Sequence, residues 1–132
     1  DNSADSEKAL QWTFSFAKDN RAEVHITNVI ESVYTDSFEE VYNLTTINNL
    51  RKKDIAEKTA KAEAIYKEHN IVSKAIMLEG QPAEEIINYA EKINADLIVC
   101  GTRGHGGFSA LLLGSTAHKL VTYATIPVAI IK

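Results

Sequence analysis

The sequence predicts an α/β fold: a doubly wound, three-layer α/β/α sandwich built on a parallel sheet. Three observations carry that reading. Helix-period and strand-period segments alternate along the chain. ADLIVCG is a near-continuous apolar run of strand length, the pattern of a strand covered on both faces. That run empties directly into GTRGHGGFSALLLGSTAHK, residues 101–119, where five of the chain's six glycines crowd together. Ligands of such sheets sit beyond the carboxyl ends of the strands, so the third observation also marks where a site belongs.

Apolar Leu10, Phe14 and Ala17 recur at helical spacing after Ser6 and Glu7, which predicts a first amphipathic helix over 5–18. AEVHITNVI is β-branched and alternating, a strand ending near Val29. Between Ser37 and Asn70 charged residues are punctuated by Ile55, Ala62, Ile65 and Tyr66, and nothing breaks the pattern from Leu50 to His69, so a long surface helix follows. VYTDSFEEVYNLTTINNL, residues 33–50, mixes β-branched residues with helix formers and reads as loop or helix. VSKAIMLEG is a strand closed by Gly80, and Pro82 opens a helix over about 82–93 because its missing N–H costs nothing in a first turn. After ADLIVCG and the glycine stretch, Gly114 or Ser115 caps a helix over 115–124, and Pro127 opens a final strand, PVAIIK. Residue 1 is followed at once by polar residues and a helix, so a strand belongs upstream of the first helix, one that would be the centre of the sheet.

Composition narrows the function. A chain of 132 residues is the size of one domain, and 45% hydrophobic residues suffice for a core without staples. Lone Cys100 excludes an internal disulfide framework and a multi-cysteine metal site. With 14 basic against 18 acidic residues the formal charge is −4, and no basic block exists to neutralise a row of phosphates, which excludes nucleic acid as the main partner. No run approaches the roughly 20 apolar residues that span a bilayer, so no membrane partner and a cytoplasmic location are expected.

The glycine stretch is read as an anion cradle. Glycine lets backbone N–H groups approach and wrap an anion, and Ser115 and Thr116 add N–H groups and hydroxyls at the start of a helix. Two other cradles are excluded by their spacing. Gly101 and Gly106 have the separation of a P-loop, but Gly107 and Phe108 stand where Lys and Ser or Thr belong. A dinucleotide fingerprint begun at Gly104 and Gly106 would put its third glycine at Ser109.

Gly-x2-Gly-x9-Gly-Ser, preceded by GQPAEEIINYAEKINADLIVCGTRGHGG, resembles the universal stress protein family, and the resemblance runs from DNSADSEKALQW to IPVAIIK as one domain over residues 1–132. It implies a five-stranded parallel sheet of order 3-2-1-4-5, of the adenine nucleotide alpha hydrolase-like kind, with the first strand upstream of residue 1. It also implies ATP binding, because the glycine motif marks the nucleotide-binding members and is unbroken here. Carried over by position, Gly101, Gly104, Gly114 and Ser115 match ribose and phosphate contacts, with Thr116 beside them. Asp1 matches the carboxylate facing ribose or adenine, and Val29 the residue whose backbone reads adenine. Arg103 is added as a charge for the phosphates, and Mg²⁺ is expected to bridge them with help from Asp1 or Ser115. The implied role is a nucleotide-dependent stress-response switch that dimerises through the apolar terminal strand, at Val128 and Ile130, and presents a surface to a protein partner. The alternatives are an interaction protein that needs no nucleotide and a slow ATP hydrolase.

Other chemistry-bearing residues have plainer readings. His105 and His118 lack ligand partners at metal spacing and read as solvated. Cys100 is a small apolar residue at a strand end. Trp12, Phe14 and Phe16 are spaced too closely for one face, and core packing accounts for most of them. Glu84 and Glu85 complement the dipole of the helix opened by Pro82. Apart from Asp1, no carboxylate or lysine near the motif stands where phosphoryl transfer would need a base or clamp, so a binder with at most weak ATPase activity is expected.

Overall fold

The structure, a computed structural model, describes residues 1, 3–31, 38–104 and 113–132, and of residues 38–48 it describes the backbone alone. Helix α1 (Ala4–Asn20) begins where the extended Ser3 accepts the Ser6 amide on its hydroxyl at 3.2 Å, with Asp5 and Glu7 in the first turn. It stops at Arg21, which adopts the left-handed conformation at φ 53°. Strand β1 (Val24–Ile30) pairs in parallel with β2 (Ser73–Glu79), in register from Val24 opposite Ser73 to Ile30 opposite Glu79. The helix that joins them, α2 (Phe38–Glu68), settles most of the segment left open between loop and helix; residues 32–37 lie outside the described residues.

Gly80 closes β2 at φ +138°, and a Cβ there would sit 2.8 Å from Glu85 Oε1, so this turn requires glycine. Its N–H donates to the Ile30 carbonyl at 3.0 Å, tying the end of β1 to the turn. Helix α3 (Pro82–Lys92) follows with Pro82 in its first turn and Glu84 and Glu85 at its positive end, as expected. Strand β3 (Ile98–Gly101), helix α4 (Ser115–Tyr123) and strand β4 (Val128–Ile131) complete the chain, with β3 and β4 parallel from Ile98 opposite Val128 to Gly101 opposite Ile131.

Two clusters hold these elements. Ala17 of α1, Ile26 of β1, Tyr66 of α2 and Ile71 are buried together, with Leu10 and Phe14 packed against them. Ala83 and Ala90 of α3, Ile98 of β3 and Leu120 of α4 form the second, with Cys100 and Val128 against it. Leu120 is completely buried. Helix α1 also lies against β3 and β4, and α3 against β1 and β2, so each of these helices spans both clusters.

The α/β class with parallel strands is therefore observed, whereas the five-stranded order is not. The described residues carry four strands in two separate parallel pairs, β2 with β1 and β3 with β4. These correspond to the outer pairs of the expected order, 3-2 and 4-5, and no described strand lies between them. ADLIVCG, read as a strand covered on both faces, is only partly buried. Only Ile98 is buried, at 7% exposure, and Val99, Cys100 and Gly101 are partly open because β3 has a strand neighbour on one side only among the described residues.

A second correction concerns the aromatic residues of α1. Phe14 packs edge-on against Tyr66, at 5.3 Å between ring centroids, but Trp12 and Phe16 are each 38% exposed and stack on one another at 5.1 Å. Residues two apart on a helix diverge by about 200°, whereas residues four apart share a face, so 12 and 16 leave the core together when 14 enters it. Val128 packs toward the α4 cluster, and the side of β4 away from β3 has no strand neighbour among the described residues.

Candidate functional site

Strand β3 hands the chain to Gly101, Thr102, Arg103 and Gly104, and these four residues are gripped from two sides. On one side lies the amino end of α1. Gly101 is pressed against its first turn so closely that a Cβ would stand 2.5 Å from the Asp5 carbonyl carbon and 2.6 Å from its oxygen. A side chain at 104 would collide with the Asp1 carboxylate. Ser3 Oγ lies 2.7 Å from Asp1 Oδ1 and 3.1 Å from the Arg103 carbonyl, its one proton serving one acceptor at a time, and the Ser3 N–H also donates to Asp1 Oδ1 at 3.0 Å.

On the other side is the amino end of α4. The Gly114 N–H donates to the Thr102 carbonyl at 2.7 Å, and a Cβ on Gly114 would meet Arg103 Cα and the Thr102 oxygen at 3.3 Å each. Thr102 is 4% exposed and fully engaged. Its N–H donates to the Ile131 carbonyl at 3.1 Å and its hydroxyl to Asp5 Oδ2 at 2.6 Å. Close approach thus demands glycine at 101 and favours it at 104 and 114, the condition that lets backbone amides line a ligand.

Seven of the eight residues predicted for the site are brought together here: Asp1, Gly101, Arg103, Gly104, Gly114, Ser115 and Thr116. Val29 stands near the carboxyl end of β1, opposite Leu78. Helix α1 leaves the end of β3 and β1 runs back after a connection of residues 21–23, so Val29 returns to the same end of the molecule. The predicted roles of His105, Gly106 and Gly107 concern positions outside the described residues.

Arg103 is not simply solvated. Its Nε lies 3.6 Å from Asp5 Oδ2, with the side chain half exposed. The Thr102 hydroxyl, then Lys8 at 3.4 Å and Arg103, hold the Asp5 carboxyl below its usual range against the opposing effect of burial. Burial pushes the Cys100 thiol up to about 11, in keeping with its reading as an inert apolar residue.

Ser3, Asp5 and Thr102 escaped the sequence reading. Ser3 was legible as a cap three residues before Ser6, but the helix start had been placed later. Asp5 and Thr102 are an ordinary first-turn acid and an ordinary strand-end residue until the fold sets them side by side.

The two helix starts differ. In α1 the Ser3 hydroxyl takes an end amide, and Asp5 and Glu7 supply negative charge. In α4 the N-cap is Gly114, no described side chain bonds the first-turn amides, and the first turn contains no acid. Ser115 is exposed and Thr116 partly so. Helix α4 therefore opens with a partial positive charge and with first-turn N–H groups that no described side chain takes. Among the described residues no group of three or more His, Cys, Asp or Glu is placed to hold a metal by itself. The Asp1 carboxylate offers hard oxygen donors of the kind Mg²⁺ takes alongside ligand phosphates. None of the described helices is long and apolar enough to cross a membrane.

Compared with known families, residues 1–132 match the universal stress protein family. Universal stress protein MJ0531 of Methanocaldococcus jannaschii is 34% identical over the full length of this chain and 78% of its own. Universal stress protein YxiE of Bacillus subtilis is 33% identical over the full chain and 94% of its own length. Among solved structures, protein MJ0577 aligns with a TM-score of 0.77 at 25% identity over all of this chain and 90% of that one. UspA from Lactobacillus plantarum aligns with a TM-score of 0.91 at 19% identity over all of this chain and 92% of that one, a likeness of fold.

Proposed function

The chain belongs to the universal stress protein family, and on that premise we propose that it binds ATP, with Mg²⁺, at the carboxyl end of β3. The observation that carries this reading is the start of α4, acid-free and with no described side chain bonded to its amides, held against Gly101–Gly104 by the Gly114–Thr102 bond. Two proteins of the same fold were solved with adenine nucleotides, dAMP in one from Archaeoglobus fulgidus and cAMP in another. They indicate what the fold holds, and the choice of ligand is left to the residues of this chain.

In this reading the backbone at Gly101, Gly104 and Gly114, with Ser115 and Thr116, takes the phosphates and ribose. Asp1 faces the ribose or adenine, and the Val29 backbone reads adenine. Asp1 or Ser115 would contribute a donor to Mg²⁺, which would supply positive charge to the phosphates. Arg103 adds positive charge at the rim. Hydrolysis is slow, below about 1 per second, because no described group is placed as a base. A strand between β1 and β3 completes the order 3-2-1-4-5, and the open edge of β4 pairs with a second copy. Nucleotide binding changes the surface shown to a partner protein in the cytoplasm.

Isothermal titration of the protein with ATP and Mg²⁺ tests the reading. Micromolar-range affinity is expected, with a loss of about thirtyfold or more in Gly114→Val, whose branched side chain meets Arg103 and Thr102 where even a Cβ is tight. No binding, or equal binding by the variant, contradicts it. Light scattering at tens of micromolar should report a dimer.

A further inference from the structure

Asp5 has three cationic or donor partners and belongs to none of the roles given above. Its side chain is only 13% exposed, although it sits in the first turn of a surface helix. Oδ2 accepts the Thr102 hydroxyl at 2.6 Å and lies 3.6 Å from Arg103 Nε, and Oδ1 lies 3.4 Å from Lys8 Nζ. Thr102 is the residue from which Gly114, and so the start of α4, hangs through its carbonyl. The only strong positive charge on Gly101–Gly104 is Arg103, and Asp5 draws it toward α1.

We infer that Asp5 is a positioning residue of the nucleotide site: it fixes the start of α4 through Thr102, and it holds Arg103 against α1, which limits how steeply the site favours ligands with more phosphate charge. The inference rests on the nucleotide reading above. Two effects of the one carboxylate separate chemically. An acceptor oxygen is enough to keep the Thr102 hydroxyl bonded, whereas restraint of Arg103 needs the negative charge. Asp5→Asn keeps the first and removes the second. Asp5→Ala removes both, leaving the buried Thr102 hydroxyl without its partner.

A freed guanidinium near a polyphosphate forms charge-assisted contacts that grow with ligand charge, whereas contacts to adenine and ribose stay constant. Asp5→Asn is therefore expected to tighten ATP by about threefold, the scale of a half-exposed ion pair, with little change for AMP, so the ATP-to-AMP affinity ratio rises. Asp5→Ala is expected to weaken both ligands together, since it loosens the start of α4.

The experiment is a titration of AMP and ATP, each with Mg²⁺ and at low ionic strength, into the full chain and into Asp5→Asn, Asp5→Ala, Arg103→Gln and Asp5→Asn/Arg103→Gln, with a thermal melt of each. The gain in ratio produced by Asp5→Asn should vanish when Arg103→Gln is already present, which a purely structural role of Asp5 would not produce. An unchanged ratio in Asp5→Asn, or an equal gain with and without Arg103, overturns the inference and leaves the nucleotide reading standing. Absence of adenine-nucleotide binding by the unaltered chain overturns both. Should Asp5→Asn melt below the assay temperature, Asp5→Ser, which also carries an acceptor for Thr102, takes its place with the same expected outcomes.

Discussion

The amino ends of α1 and α4 meet the same four residues, Gly101–Gly104, from opposite sides, yet one carries its own cap and acids and the other, among the described residues, has neither. Helix α1 satisfies its first turn from within: the Ser3 hydroxyl accepts the Ser6 amide, and Asp5 and Glu7 face the dipole. Helix α4 begins at Gly114 with no described side chain bonded to its start and no acid in its first turn. A helix that supplies its own cap gains stability and has little left to offer an anion. A helix that leaves its amides open forgoes about 1 kcal/mol of capping and keeps a place for a ligand. The difference teaches that the scaffold and the site can share one backbone segment, with α1 fixing its path and α4 receiving what binds there.

Substitutions that confuse the two roles should have effects in a definite order. The largest is expected for Gly101→Val, which forces a side chain into the backbone of Asp5, where even a Cβ stands at 2.5 Å. It should lower stability by about 3 kcal/mol in urea unfolding, the scale of overpacking, and remove ligand binding with it. A stability loss below about 1 kcal/mol would show that the first turn of α1 moves aside and fixes nothing. Ser3→Ala comes next. It removes the α1 cap and the link to the Arg103 carbonyl, and should cost about 1 kcal/mol. Thr116→Glu should have the smallest effect on stability and of opposite sign, a gain of about 0.5 kcal/mol as the acid fills the open end of α4. Nucleotide affinity should fall about tenfold in the same variant, because protein carboxylate and ligand phosphate then compete for the same amides. A variant both stabilised and unimpaired in binding would break the comparison.

Much of this was legible before the fold was known. The alternation of helix and strand, Gly80 before Pro82, and the glycine stretch after ADLIVCG placed the described elements to within a few residues, because each signal is local: a backbone conformation, a missing N–H or a period. The spacing of Trp12, Phe14 and Phe16 already forbade one shared face, but it did not say which would leave the core, and Trp12 and Phe16 both do. The clamp of Ser3, Asp5 and Thr102 was illegible for a deeper reason. It joins residues 97 positions apart in the case of Asp5 and Thr102, and no local pattern distinguishes that pair until α1 lies across the end of β3.

Backbone amide chemical shifts during titration with ATP and Mg²⁺ test the account's central claim most directly. Saturable shifts concentrated at Gly101–Gly104 and at Gly114–Ala117 are predicted, with the amides of the capped first turn of α1 moving far less. Saturable binding whose shifts spare the start of α4, or fall equally on both helix starts, would contradict it.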